Sequence, residues 1–185
     1  MRVIAGSAKG RKLQTLEGMD VRPTTDKVKE AIFSAVQFDL YEASVLDLFA
    51  GSGQMGIEAI SRGAKNAVFV DMSARSLSVV RNNLASADMQ DKAMCYQADG
   101  RDFLRTDRNR YHIAFLDPPY GKGLIEDVLP ILSEKIVAGG KVVCEHENEL
   151  VLPDNIGGLS VKKRYRYGKI SVTIYINQEE EMQDE

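Results

Sequence analysis

Val45-Leu46-Asp47-Leu48-Phe49-Ala50-Gly51-Ser52-Gly53-Gln54-Met55-Gly56 is the stretch whose reading decides the fold. Its near-continuous apolar start reads as a strand buried on both faces of a parallel sheet. The glycines that follow have the Gly51-x-Gly53-x-x-Gly56 spacing, which lets backbone approach a ligand between a strand and a helix amino terminus. A helix then runs to Gly63.

Outward from there the pattern repeats. Residues 67–71 read as a second strand, Ser73 caps a helix with Leu77, Val80 and Leu84 on one face, and residues 93–97 read as a third strand. A helical turn near residues 102–105 leads to a fourth strand, 113–116. Residues 124–137 are apolar enough for a helix, and Pro130 predicts two short pieces, the second starting at the proline. Gly139-Gly140 leads into a fifth strand, 141–145. Residues 160–167 and 169–176 around Gly168 form an antiparallel pair. This β-α-β alternation predicts an α/β fold with a seven-stranded, mostly parallel sheet, right-handed crossovers and helices on both faces. Upstream, residues 2–16 read as a short β-hairpin with a basic tip at Ser7-Ala8-Lys9-Gly10, and Thr24 or Thr25 caps a helix carrying Val28, Ile32, Ala35 and Val36 on one face. The expected division is an N-terminal hairpin extension over 1–22, one domain over 23–177 and a disordered acidic tail over 178–185.

Carboxylates stand at successive strand ends. Asp47 opposes a phosphate electrostatically but can pair with an ammonium group, Asp71 is placed to accept both hydroxyls of a ribose, and Asp99 can accept an adenine amine. Asp71 serves NAD and S-adenosylmethionine alike, as does the glycine loop, which suits a carboxylate as well as a pyrophosphate. Asp47 favours S-adenosylmethionine.

Phe115-Leu116-Asp117-Pro118-Pro119-Tyr120 closes the fourth strand. Two prolines forbid further strand or an immediate helix, so the chain stops at the carboxyl edge, where open α/β sheets bind ligands. Asp117 and the Pro118 carbonyl can each accept one N–H of an exocyclic amine, and Tyr120 can stack on the base that carries it.

Composition bounds the rest. A chain of 185 residues, 44% hydrophobic and 28% charged, has room for one α/β domain with small decorations. Nothing resembles a membrane span or signal peptide, so a cytoplasmic protein without membrane contact is expected. Cys95 and Cys144 fall in strand-like runs, and with no paired Cys or His spacing neither a disulfide nor a metal site is expected. The net charge of −3 conceals an asymmetry, because residues 177–185 hold five acids and no base and the remainder is net basic. Arg2, Lys9, Arg11 and Lys12 occupy an acid-free start. Lys162, Lys163, Arg164, Arg166 and Lys169 interleave with Tyr165 and Tyr167 in a manner that suits nucleic acid.

The Asp-Pro-Pro-Tyr motif resembles that of S-adenosylmethionine-dependent methyltransferases acting on exocyclic base nitrogens. Together with Val3-Ile4-Ala5-Gly6 and Gly10, Arg22-Pro23-Thr24, Leu46 to Gly53, Ser61-Arg62-Gly63-Ala64, Asp71, Arg81-Asn82-Asn83 and Asp99, it resembles the bacterial 16S ribosomal RNA guanine-N2 methyltransferases of the RsmD type. The resemblance implies a Rossmann-like class I methyltransferase domain, S-adenosylmethionine as cofactor with S-adenosylhomocysteine as product, and 16S rRNA in an assembled or assembling small subunit as partner. It implies Asp117, Pro118, Pro119 and Tyr120 as catalytic residues. Asp47, Gly51, Ser52, Gly53, Asp71, Met72, Asp99 and Gly100 would hold the cofactor, and Arg2, Lys9, Arg11, Lys12 and Arg22 the RNA, in a monomer without metal. Asp71 stands where the family commonly has glutamate, and Gln54-Met55 where smaller residues are usual.

Three other readings compete. A DNA adenine-N6 methyltransferase uses the same motif but needs a target-reading domain for which there is no room. An NAD-linked oxidoreductase leaves Asp47 and the Asp-Pro-Pro-Tyr turn unexplained. A non-catalytic RNA-binding protein accounts only for the basic ends.

Overall fold

The apolar runs become the strands of one sheet. A computed structural model describes residues 1–16 and 25–178. Its parallel strands are β1 (Ser44–Asp47), β2 (Asn66–Asp71), β3 (Ala93–Gln97), β4 (Tyr111–Leu116) and β5 (Ile136–Glu147), followed by antiparallel β6 (Asn155–Ile156), β7 (Leu159–Tyr167) and β8 (Ile170–Asn177). Their order across the sheet is β3-β2-β1-β4-β5-β8-β7-β6. The chain runs outward from β1 to β3 and then returns to β4 on the other side of β1. The switch point where ligands collect therefore lies between the carboxyl ends of β1 and β4.

Alternation within the strands feeds two cores. Val45, Phe69, Ile113 and Phe115 pack under α1 (Asp26–Val36), α2 (Gln54–Ser61) and α3 (Ala74–Ser86). Leu46, Val70, Ala114 and Leu116 pack under α4 (Gly100–Thr106) and α5 (Leu124–Ser133) on the opposite face. Thr25 caps α1 by accepting the Val28 amide, and Ser73 caps α3 by accepting that of Ser76.

Several expectations are corrected. Among the described residues the sheet has eight strands, because Gly157, at φ 55°, turns the chain so that Asn155–Ile156 pairs with β7, a contact too short to leave an apolar signature. Helix α5 is continuous through Pro130. The one bond a proline removes there would reach the carbonyl of Glu126, and both residues are exposed, so water can serve that group. Helix α4 starts at Gly100 because Asp99 caps it. Strand β5 begins at Ile136, with a register shift opposite Tyr111 and Ile113 that absorbs Gly139-Gly140. The N-terminal segment doubles back antiparallel but holds a single bridge, Arg2 with Lys12, rather than two strands. The Val3, Gly10 and Leu13 amides bond across the turn to the Arg11, Val3 and Met1 carbonyls, while those of Ile4, Ala5, Ser7 and Ala8 are diverted to α2, as described below. The expected RNA contact Arg22, the Arg22-Pro23-Thr24 segment and the acidic tail beyond Gln178 lie outside the described residues.

Among the described residues no helix is long and apolar enough to cross a membrane, and no group of three or more His, Cys, Asp or Glu is arranged to hold a metal ion.

Candidate active site

Asp47 ends β1 with 3% of its surface exposed, and its Oδ2 accepts the Gly56 amide at 3.0 Å. Burial pushes its carboxyl up to about 7, the Gly56 hydrogen bond opposing and the nearby Asp71 charge adding to the rise. The turn that follows closes through the Gly53 amide on the Ala50 carbonyl at 2.7 Å. Gly53 has φ 81°, and a Cβ on Gly56 would come within 2.4 Å of the Phe69 ring, so this spacing is needed for the helix to seat on β2.

Asp71 ends β2 and joins two loops. Its Oδ2 accepts the Gly51 amide at 2.9 Å and its Oδ1 that of Ser73 at 2.8 Å. A carboxylate has about four acceptor sites, so two remain for hydroxyl donors. Asp99 accepts the Arg101 and Asp102 amides at 2.9 and 3.2 Å, both on Oδ1, which gives this expected adenine acceptor a structural duty as well. Gly100 is the first residue of α4. Met72 is 68% exposed beside Asp71, an apolar surface at the rim. The Ser52 carbonyl accepts Asn83 Nδ2 at 2.9 Å.

The Asp-Pro-Pro-Tyr turn emerges from the adjacent strand. Asp47 pairs with Phe115 across β1 and β4, so Asp117, two residues further along, lies on the adjacent strand just past the carboxylate of β1. Asp117 is half-buried and Pro118 buried, whereas Pro119 and Tyr120 are exposed. The Tyr120 hydroxyl donates to Glu145 Oε1 at 3.5 Å and the Gly121 amide to Glu147 Oε1 at 3.1 Å. Burial, and then the charges of Glu145, Asp117 and Glu147, hold the Tyr120 phenol above its ordinary pKa. Beside the turn is a cavity of about 240 Å³ lined by Pro118, Pro119, Tyr120, Ile125, Glu147 and Leu150 among others.

The basic N-terminal arm is built onto this edge by residues that sequence reasoning missed. Glu58, fully buried in α2, accepts the Ile4 and Ala5 amides at 2.9 and 3.0 Å and pairs with Lys29 at 3.2 Å and Arg62 at 2.8 Å. Ser61 accepts the Ala8 amide on its Oγ and the Ser7 amide on its carbonyl. Asn83 accepts the Gln14 amide at 2.7 Å while donating to the Gln14 and Ser52 carbonyls, which ties the arm to the glycine turn. An acid inside an otherwise apolar helix, and an asparagine beside the Leu77-Val80-Leu84 stripe, were the available signals. Lys9, Arg11 and Lys12 are exposed and pair with no carboxylate among the described residues, while Arg2 meets Asp26 at 3.4 Å. In the C-terminal pair the Tyr165 and Tyr167 rings stack at 6.2 Å, with Lys163 Nζ 4.8 Å from the Tyr165 centroid. Arg164 is turned away onto Asp154 and the Leu152 carbonyl.

Known proteins share this architecture. The family model described as conserved hypothetical protein 95 matches residues 1–176. The Bacillus subtilis protein YlbH, provisionally named an rRNA methyltransferase, is 39% identical over 95% of this chain and 98% of its own. The ribosomal RNA small subunit methyltransferase D of Haemophilus influenzae is 33% identical over 96% of this chain and 94% of its own. The solved structure of the Escherichia coli protein yhhF, provisionally described as a methyltransferase, superposes with a TM-score of 0.88 at 30% identity, covering 97% of this chain and 99% of that one. A match that runs from Met1 into β8, with relatives equivalent over nearly their whole length, makes this chain a member of the conserved hypothetical protein 95 family, the RsmD-like methyltransferases.

Proposed function

We propose that the protein transfers a methyl group from S-adenosylmethionine to the exocyclic N2 of a guanine in 16S rRNA, presented within an assembled or assembling small ribosomal subunit. The observation that carries this reading is the register Asp47 with Phe115, which sets an amine-accepting turn, Asp117-Pro118, directly beside the carboxylate and glycine turn of β1. The names of the relatives agree with it.

The donor set fits the cofactor. Asp47 offers a carboxylate to the ammonium group, Asp71 has acceptor sites left for the ribose hydroxyls, Asp99 Oδ2 is not used by the α4 cap, and Met72 offers an apolar rim for the adenine. When bound, S-adenosylmethionine supplies a sulfonium methyl already activated toward a nitrogen lone pair.

The chain's own residues supply what guanine lacks. Its N2 lone pair is delocalised into the ring and is a poor nucleophile. Asp117 and the Pro118 carbonyl accept hydrogen bonds from the two amine N–H groups, draw the nitrogen toward tetrahedral geometry and offset the positive charge that develops on it until one of those protons is lost by way of Asp117 to solvent. Pro118 and Pro119 present no amide donors that would compete for those acceptors. The stiff turn holds the amine in line with the cofactor cleft, so positioning does the remainder. Tyr120 covers the face of a base that has left its stack. Lys9, Arg11 and Lys12 meet phosphates on the particle.

The test is mass spectrometry of nucleosides in 16S rRNA from cells with and without the gene. Loss of N2-methylguanosine at one position is the expected result. Unchanged rRNA together with altered N6-methyladenine in DNA would replace this reading with the DNA methyltransferase one.

A further inference from the structure

Glu145 has no part in the chemistry described so far. It lies in the buried run of β5 with 4% of its surface exposed, one residue before that run ends at His146, and the parallel register Leu116 with Cys144 sets it beside Asp117. It shares a sheet face with Val143, two residues earlier, which packs in the same core as Phe115. Its Oε1 receives the Tyr120 hydroxyl at 3.5 Å, the outer limit for a hydrogen bond and an interaction easily exchanged for a better one. Asp117 and Glu145 are thus two acceptors side by side, behind the ring that would cover the base.

Guanine presents two donors side by side on its Watson–Crick edge, the N2 amine and the ring N1–H. With both amine protons taken by Asp117 and the Pro118 carbonyl, the N1–H faces the neighbouring strand. Left there without an acceptor it would be a buried unsatisfied donor. We infer that Glu145 accepts the N1–H of the target guanine and is the residue by which this site selects guanine over purines with an unprotonated N1. Tyr120 gives up its hydrogen bond to Glu145 when it moves onto the base. A purine carrying a bare N1 sets a lone pair against the Glu145 carboxylate and is rejected even if it has a 2-amino group.

This inference rests on the guanine-N2 reading, and the experiment separates the two. Small subunits are reconstituted with 16S rRNA in which the target guanosine is either retained or replaced by 2,6-diaminopurine riboside, which keeps the 2-amine but has no N1–H. Absence of N2-methylguanosine on the unaltered particle would defeat the function itself. Given that product, the wild-type protein is expected to favour guanosine by about a hundredfold or more in kcat/KM, as sites built to hydrogen-bond a missing group do. A ratio near one would overturn the role of Glu145 with no variant needed. Glu145→Gln, whose amide can donate to a bare N1, is expected to lower the guanosine rate and shrink the ratio to less than about tenfold, with S-adenosylhomocysteine affinity retained. Tyr120→Phe removes the hydroxyl and is expected to keep the wild-type ratio. If Tyr120→Phe reproduces the loss of discrimination, or Glu145→Gln leaves the ratio unchanged, the assignment is overturned.

Discussion

Asp71 Oδ2 receives the Gly51 amide at 2.9 Å, so the acid at the end of β2 and the glycine turn after β1 move as one piece. Asp71→Ala is expected to weaken S-adenosylmethionine binding by about 1.5–3 kcal/mol, the loss typical of hydrogen bonds to a charged group. Titration calorimetry measures it, and RNA binding is expected to stay within twofold. Intact cofactor affinity with abolished RNA affinity would mean that the ribose acceptor lies elsewhere.

Asp47 makes stability depend on pH. Its carboxyl titrates near 7 in the folded protein against an ordinary 3.8. Between those values the folded state holds a proton that the unfolded state has released, so stability falls as pH rises through that window, by roughly 4 kcal/mol in all. Asp47→Asn retains an acceptor for the Gly56 amide and is expected to flatten the profile. Denaturant melts from pH 4 to 8 test this. Binding of the cofactor ammonium to an ionised Asp47 is further expected to release a proton near pH 6, seen as a dependence of the binding heat on buffer ionisation enthalpy.

Glu58→Gln leaves the Lys29 ammonium, 1% exposed, without its carboxylate. A loss of about 3–5 kcal/mol is expected, as for other buried pairs broken on one side. Burial already lowers the Lys29 pKa against the opposing pull of Glu58. In the variant the lysine sheds its proton more readily, so the loss should shrink as pH rises. Hydrogen exchange at the Ile4 and Ala5 amides should accelerate with it.

Asp117→Ala is expected to abolish methyl transfer while cofactor affinity changes no more than a few-fold, because the side chain addresses the base amine. Asp117→Asn keeps one acceptor oxygen and loses the charge. Partial activity is expected from it, and single-turnover kinetics on small subunits would separate the two. Near-normal turnover by the alanine variant would remove the proposed mechanism.

Replacing Lys9, Arg11 and Lys12 together by glutamine should weaken RNA binding and reduce the slope of log affinity against log salt by about 2–3, near 0.9 for each duplex phosphate that is no longer neutralised. Cofactor binding should not change. An unaltered slope would show that the arm does not meet phosphate.

The parts of this molecule that were legible in sequence are those whose determinants sit within a few residues of one another. The run from Val45 into the glycines, the Thr25 and Ser73 caps and the halt at Pro118-Pro119 each follow from local sterics and hydrogen bonding. Pro130 misled because its effect depends on exposure, which no local pattern reports. Asp99 reads as a ligand acceptor, and the cap that its Oδ1 gives to the amides two and three residues onward is a second duty the sequence does not announce. The arm reads as a hairpin over residues 2–16, and the Val3 amide does reach back to the Arg11 carbonyl, yet the Ile4, Ala5 and Ala8 amides find acceptors on Glu58 and Ser61, more than fifty residues away. Glu145 looked like the end of a strand until the register put it next to Asp117.

The clasp of the arm by Glu58, Ser61 and Asn83 also orders events during synthesis. Residues 1–14 leave the ribosome before α2 and α3, and Asn83, which holds Gln14, comes 69 positions after it. Until α2 has emerged the Lys9-Gly10-Arg11-Lys12 stretch has nowhere to dock, and until α3 follows only its leading side is held. Translation thus delivers the protein's basic end to the cell before the scaffold that aims it, and the glycine turn gains its final brace, through Ser52 and Asn83, only once α3 is complete.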